Sequence, residues 1–190
     1  MFAHGFNGAP AGFAPFLAEL VRRGYVVAAP AFLLTVAGAP GLALGDYVSQ
    51  PGDVSFVLTR LGRVARRHRF ENAIDTHHVA FAGHSLGAVT SLGGAANSCC
   101  LDPRADAAVA ISGGPLPFPG GTYFSQPGPP LMLVHGTDDA IAPYAASVAM
   151  YAGAPPPKAL LGLEGGPHTP SRRHGFRPWS ARSSSSSTAT

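Results

Sequence analysis

The chain has 190 residues, 46% of them hydrophobic and 12% charged, with a net charge of +3 and a mean hydropathy of +0.16. That length suits one domain whose core needs no disulfide or metal staple, and the composition is too apolar for a disordered protein. The pI near 9.2 does not mark a nucleic-acid binder: Arg172, Arg173, Arg177 and Arg182 lie beyond Pro170 with no acid among them, leaving nine bases against ten acids in residues 1–170.

In chain order, Met1-Phe2-Ala3 reads as the end of a strand and His4-Gly5-Phe6 as a turn that follows it. Glycine there lets the backbone approach a ligand, so the Phe6 N–H is a candidate oxyanion donor. Phe13, Phe16, Leu17, Leu20 and Val21 recur at helical spacing, which predicts an amphipathic helix with its aromatics in the core and Gly24 as its stop. Tyr25 to Ala29 reads as a strand closed by Pro30. From Ala31 to Pro51 periodicity is lost, and a long loop near the mouth of a site is expected. Val54, Val57, Leu58, Leu61, Val64 and Ala65 form the next helical stripe, with Arg60, Arg63, Arg66 and Arg67 on a solvated face.

Val79-Ala80-Phe81-Ala82 is an apolar run that feeds Gly83-His84-Ser85-Leu86-Gly87, and small residues follow where a helix would begin. The pattern G-x-S-x-G at a strand-to-helix turn is a nucleophile elbow. Its glycines remove Cβ atoms that would collide with neighbouring backbone, Ser85 is held out as a nucleophile, and the Leu86 N–H at the helix start points to where an oxyanion would form. The helix fades near Asn97. Cys99 and Cys100 are adjacent, closer than disulfide partners normally stand, so no disulfide framework is expected.

Further strands are predicted at Ala108–Ser112, Leu131–Val134 and Ala159–Leu163. Between the first two lies a Pro- and Gly-rich loop, Gly113 to Pro130, whose Phe118, Tyr123 and Phe124 are expected to wall a pocket. His135-Gly136-Thr137-Asp138-Asp139 follows the second, with Pro143 opening a helix over Tyr144 to Tyr151. Glu164-Gly165-Gly166-Pro167-His168 follows the third. Strands alternating with helices define an α/β fold, a mostly parallel sheet with helices on both faces and its functional residues just past the carboxyl ends of strands. The Arg- and Ser-rich residues 171–190 read as a disordered tail. No apolar run is long enough to span a bilayer and no signal-peptide pattern opens the chain. A soluble protein is expected: cytoplasmic by default, secreted if a leader precedes it. No His, Cys, Asp and Glu set has metal spacing, so neither metal nor cofactor is expected; His84 and His135 read as structural or supporting residues.

Ser, then Asp, then His, each past a separate strand, is the order of the α/β-hydrolases. His4-Gly5-Phe6, Gly83-His84-Ser85-Leu86-Gly87, His135-Gly136-Thr137-Asp138-Asp139 with Pro143, and Gly165-Gly166-Pro167-His168 together resemble that superfamily's motif set. Within it, the chain is most similar to dienelactone-hydrolase-like, chlorophyllase-like and platelet-activating-factor-acetylhydrolase-like serine esterases. The resemblance implies a hydrolase domain over residues 1–170. It also implies a small-molecule ester substrate, Ser85 as nucleophile, His168 as base, Asp139 rather than Asp138 as the acid, and Phe6 and Leu86 as oxyanion donors. An acyltransferase or a catalytically impaired binding protein is the alternative. The superfamily also has strands before the His-Gly motif and a helix after the catalytic histidine, so the chain is expected to be a truncated, marginally stable version.

Overall fold

The computed structural model describes residues 1–67 and 74–169. Five strands, β1 (Phe2–Ala3), β2 (Val79–His84), β3 (Ala105–Ile111), β4 (Leu131–Gly136) and β5 (Lys158–Leu163), pair in sequence order into one parallel sheet. The helices are α1 (Ala14–Arg22), α2 (Gln50–Arg67), α3 (Leu86–Ala96) and α4 (Tyr144–Gly153). Parallel neighbours need a crossover, and the β2-α3-β3 and β4-α4-β5 units supply it.

The register puts Phe81, Ala108 and Leu131 in one row, and Gly83, Ala110 and Leu133 in the next. Their side of the sheet meets Val54 and Leu58 of α2, Ala88, Leu92 and Ala95 of α3, and Met150 of α4 in a single buried cluster. α3 is buried from Leu86 to Ala95, and its small residues are the reason it can be. A Cβ at Gly94 would stand 2.9 Å from the Phe81 ring, and one at Gly93 would reach the Pro51 ring at the same distance. Bulk at these positions would lift the helix off the strand whose end it must meet. The opposite face is covered at one corner by α1 and the residue before it, through Phe16 and Phe13 on Phe2 at 5.8 and 4.9 Å between ring centroids.

The chain leaves β1 through α1 on that second face and returns to β2 through α2 on the first. The crevice between β1 and β2 is therefore a topological switch point, where loops from both directions diverge and leave room for a ligand. Ser85 and the 4–8 turn sit at its carboxyl end.

Several expectations are corrected. Residues 25–29 lie beside β1, with the Phe2 N–H bonded to the Ala28 carbonyl at 2.8 Å, but they form no strand. β1 offers only two residues of ladder, and the side chains of Tyr25 and Val26 are more than half exposed, so burial adds little to hold an extended pairing. No residue of α1 is buried, because the corner it covers is little more than Phe2 wide. Phe118 is core, and Tyr123 and Phe124 pack against core at the far end of α3, where the Phe124 N–H reaches the Ala96 carbonyl. Phe118 packs at Gly93 and Phe124 bonds at Ala96, about 12 and 17 Å along the helix axis from Ser85. Cys99 and Cys100 are joined in a disulfide between adjacent residues, which closes no loop between elements. The expected tail lies outside the described residues.

Candidate active site

The elbow is built as its glycines require. Ser85 adopts φ 55° and ψ −119°, a conformation that L-residues avoid at a cost on the order of 1–3 kcal/mol. Its N–H is tied to the Ile111 carbonyl at 2.8 Å, and its own carbonyl accepts the Ala88 N–H at 2.9 Å. A Cβ on Gly83 would strike the Gly87 carbonyl, and one on Gly87 the Ala3 carbonyl. Only glycine lets β1, β2 and the start of α3 meet this closely.

Three side chains from three loops converge. Ser85 Oγ lies 2.9 Å from His168 Nε2, and His168 Nδ1 lies 2.7 Å from Asp139 Oδ2. With Asp139 ionised, the His168 Nδ1–H donates to the carboxylate and Nε2 accepts from the serine hydroxyl. The Asp139 side chain is fully buried, and His168 is 13% exposed. Burial pushes the Asp139 pKa up, yet the N–H groups of Ala142 and Ile141, both 2.8 Å from Oδ1, together with His168 outweigh it and hold the carboxyl below its ordinary range. Asp138 is exposed and its nearest polar partner is the Thr137 hydroxyl, 3.3 Å from Oδ1. One step along the loop is enough to turn that carboxylate away from the histidine.

Sequence reasoning placed two more histidines near the site without saying what they touch. His84 Nε2–H donates to the His168 carbonyl at 2.8 Å, and the two rings stand 4.9 Å apart. Burial lowers the His84 pKa, which keeps the ring neutral at pH 7. His135 is fully buried; its Nε2 faces Asp139 Oδ2 at 3.0 Å and the Ala142 carbonyl at 2.9 Å, both acceptors, so that nitrogen carries a proton. Its Nδ1 is 2.7 Å from the Ser147 hydroxyl. Asp139 thus accepts four N–H bonds, two on each oxygen. No spacing in the sequence signals Ser147, which reaches His135 only because α4 folds back over β4.

On the other side of Ser85 stand peptide groups. Leu86 is the first residue of α3, so its N–H has no intrahelical acceptor. The 4–8 turn is held close: a Cβ at Gly5 would come within 3.0 Å of Ser85 Cβ. Among the described residues the Phe6 N–H has no partner, while the next two N–H groups are engaged, Asn7 with the Thr35 carbonyl at 2.8 Å and Gly8 with the Gly5 carbonyl at 3.0 Å. His4 braces the same turn, its Nε2 accepting the Phe32 N–H at 3.1 Å. No group of His, Cys, Asp and Glu able to hold a metal occurs among the described residues, and no described helix is long and apolar enough to cross a membrane.

The parallel α/β sheet is shared with esterases of known structure. Esterase 2 of the planctomycete Thermogutta terrifontis matches 88% of this chain and 70% of its own, with a TM-score of 0.63 and 18% identity. The same enzyme phosphorylated by paraoxon gives a TM-score of 0.64 at 20% identity over the same shares of the two chains. Esterase PE8 matches 90% of this chain and 85% of its own, with a TM-score of 0.55 and 19% identity. Likeness at these identities establishes the fold. No protein-family model and no curated sequence matches the chain.

Proposed function

We propose that the chain is a serine hydrolase of the α/β-hydrolase type that cleaves carboxylic esters through an acyl-Ser85 intermediate. Within that superfamily its motif set is most similar to the dienelactone-hydrolase-like, chlorophyllase-like and platelet-activating-factor-acetylhydrolase-like esterases. The observation that carries the reading is the unbroken path from Ser85 Oγ through both ring nitrogens of His168 to Asp139, at 2.9 and 2.7 Å. As Oγ bonds to the ester carbonyl carbon, its proton passes to His168 Nε2, and Asp139 stabilises the imidazolium that forms. The carbonyl oxygen, now an alkoxide, takes hydrogen bonds from the Phe6 and Leu86 amides, each worth about 3–4 kcal/mol at comparable sites. Collapse breaks the bond to the leaving oxygen, which receives the proton from Nε2. Water then bonds to the acyl carbon as His168 Nε2 takes its proton; collapse breaks the bond to Ser85 Oγ, which receives that proton back, and the acyl group departs as the carboxylic acid.

The loops around the site bear on the kind of ester. Residues 4–8 and 31–45, which flank Ser85 on the β1 side, contain no Asp, Glu, Lys or Arg. Nothing in them would pair with a charged acyl or alkyl group, which favours neutral, apolar esters.

A fluorophosphonate probe tests the reading. Wild-type protein is expected to be labelled and to turn over p-nitrophenyl butyrate, and Ser85→Ala to lose both, with at least about a 10⁴-fold fall in kcat. A folded wild-type protein that takes no label and hydrolyses nothing would make the fold a binding scaffold instead.

A further inference from the structure

Two amides stabilise one oxygen only if their separation is held, and Phe6 and Leu86 lie in segments distant in the chain. A buried polar chain joins those segments, and none of the groups in the proposed mechanism belongs to it. Its centre is Gln50, the first residue of α2, with no solvent exposure. Thr90, one turn into α3 from Leu86, donates its hydroxyl to Gln50 Oε1 at 2.6 Å, and its Oγ1 lies 3.1 Å from the Leu86 carbonyl. Gln50 Nε2 gives one proton to Thr35 Oγ1 at 2.9 Å and the other to Asp46 Oδ2 at 3.2 Å. The Thr35 carbonyl accepts the N–H of Asn7, the residue after Phe6, whose φ of 53° is a conformation that favours glycine.

Each hydrogen-bonding group of the Gln50 amide is matched. Its two donors meet an Oγ and a carboxylate, and its acceptor meets a hydroxyl. Reversing the amide would turn its oxygen toward Asp46, so the arrangement admits one orientation. Thr35 and Thr90 are as deeply buried as Gln50. An apolar side chain of similar volume would fill this position without a desolvation cost, so burial alone does not account for an amide here. What only the amide provides is a fixed distance between the start of α3 and the segment that holds the 4–8 turn.

We propose that Gln50 is a positioning residue that sets the spacing of the two oxyanion donors, Phe6 and Leu86. It acts through Thr90 on one and through Thr35 and Asn7 on the other. The inference rests on the hydrolase reading above. The variants Gln50→Met, close in volume but unable to bridge, and Thr90→Val, which cuts one link, test it together. In both, kcat for p-nitrophenyl butyrate is expected to fall about tenfold or more with KM within twofold. Affinity for a trifluoromethyl ketone, which Ser85 converts to an oxyanion, is expected to weaken in parallel, while affinity for the matching methyl ketone, which stays planar, is unchanged. A purely structural role would lower the melting temperature and leave the ratio of the two ketone affinities at its wild-type value; that result overturns the proposal. Thr90→Val exchanges the hydroxyl for a methyl group of similar size and keeps the test decisive if Gln50→Met does not fold. If the wild-type protein itself neither hydrolyses the ester nor binds the trifluoromethyl ketone more tightly than its methyl analogue, the hydrolase reading fails and this inference fails with it.

Discussion

The two flanks of Ser85 are made of different material. Toward β4 and β5 stand ionisable side chains: His168, Asp139 with four N–H donors on its carboxylate, and His135 behind it. Toward β1 the groups that face Ser85 are backbone amides, held in place by Gln50 with Asp46, two threonines, His4 and glycines that tolerate no Cβ. Under the proposed mechanism, the contrast follows from what each flank would do. Moving a proton requires groups whose charge can change, whereas receiving a developing charge requires dipoles that stay in place. A substitution on the first flank can delete chemistry outright; on the second it can act only by moving something.

That contrast can be broken at several points. The largest effect is expected from Asp139→Asn, which removes the acceptor that sets the His168 tautomer. kcat should fall by about 10⁴-fold, while Asp138→Asn stays within twofold of wild type, both measured on p-nitrophenyl butyrate. Comparable losses in the two variants would dissolve the distinction between neighbouring aspartates. A smaller effect concerns the uncharged surroundings. p-Nitrophenyl butyrate and the p-nitrophenyl half-ester of succinate have similar chain lengths but differ by a terminal carboxylate, and kcat/KM is expected to favour the neutral ester by about tenfold, or about 1.4 kcal/mol. Equal rates, still dependent on Ser85, would show that some cation reaches the acyl group.

The smallest effect on rate is expected away from both flanks. Arg104 clasps Asp102 and reaches across to Ser55 and Thr59 of α2. Hydrogen bonding from Arg104 holds the Asp102 pKa at about 2, well below its ordinary 3.8. A carboxylate with a lowered folded-state pKa adds stability that is fully present above its unfolded pKa and is lost as pH falls toward the folded one. Asp102→Asn should therefore cost about 2 kcal/mol at pH 7 and almost nothing near pH 2, read by denaturant unfolding across that window, with kcat unchanged.

Much of this layout is legible in the sequence, and the illegible parts share a cause. β2 and β4 are apolar runs with alternate residues buried, and such runs read correctly because burial on the sheet is what makes them strands. Ser85, Asp139 and His168 stand at strand ends, where motif and topology agree. Residues 25–29 read as a strand by composition, but a strand needs a partner, and how long β1 would be is not written in residues 25–29. Phe118, Tyr123 and Phe124 carry no mark that sends them to the far end of α3 rather than to Ser85. Gln50 was hidden most completely. A polar residue ahead of an apolar helical stripe looks solvated, and its burial follows only from where α3 and the 32–37 segment come to rest.

Residues 4–78 must be looped out before β1 can pair with β2, whereas residues 137–157 suffice to join β4 to β5. Closing the longer loop costs only about 1 kcal/mol more, because that entropy grows with the logarithm of length, but β1 repays it with two residues of ladder where β5 offers six. Assembly should therefore proceed from the β4–β5 side inward, with the amide cradle closing last as the chain folds and loosening first as it is warmed.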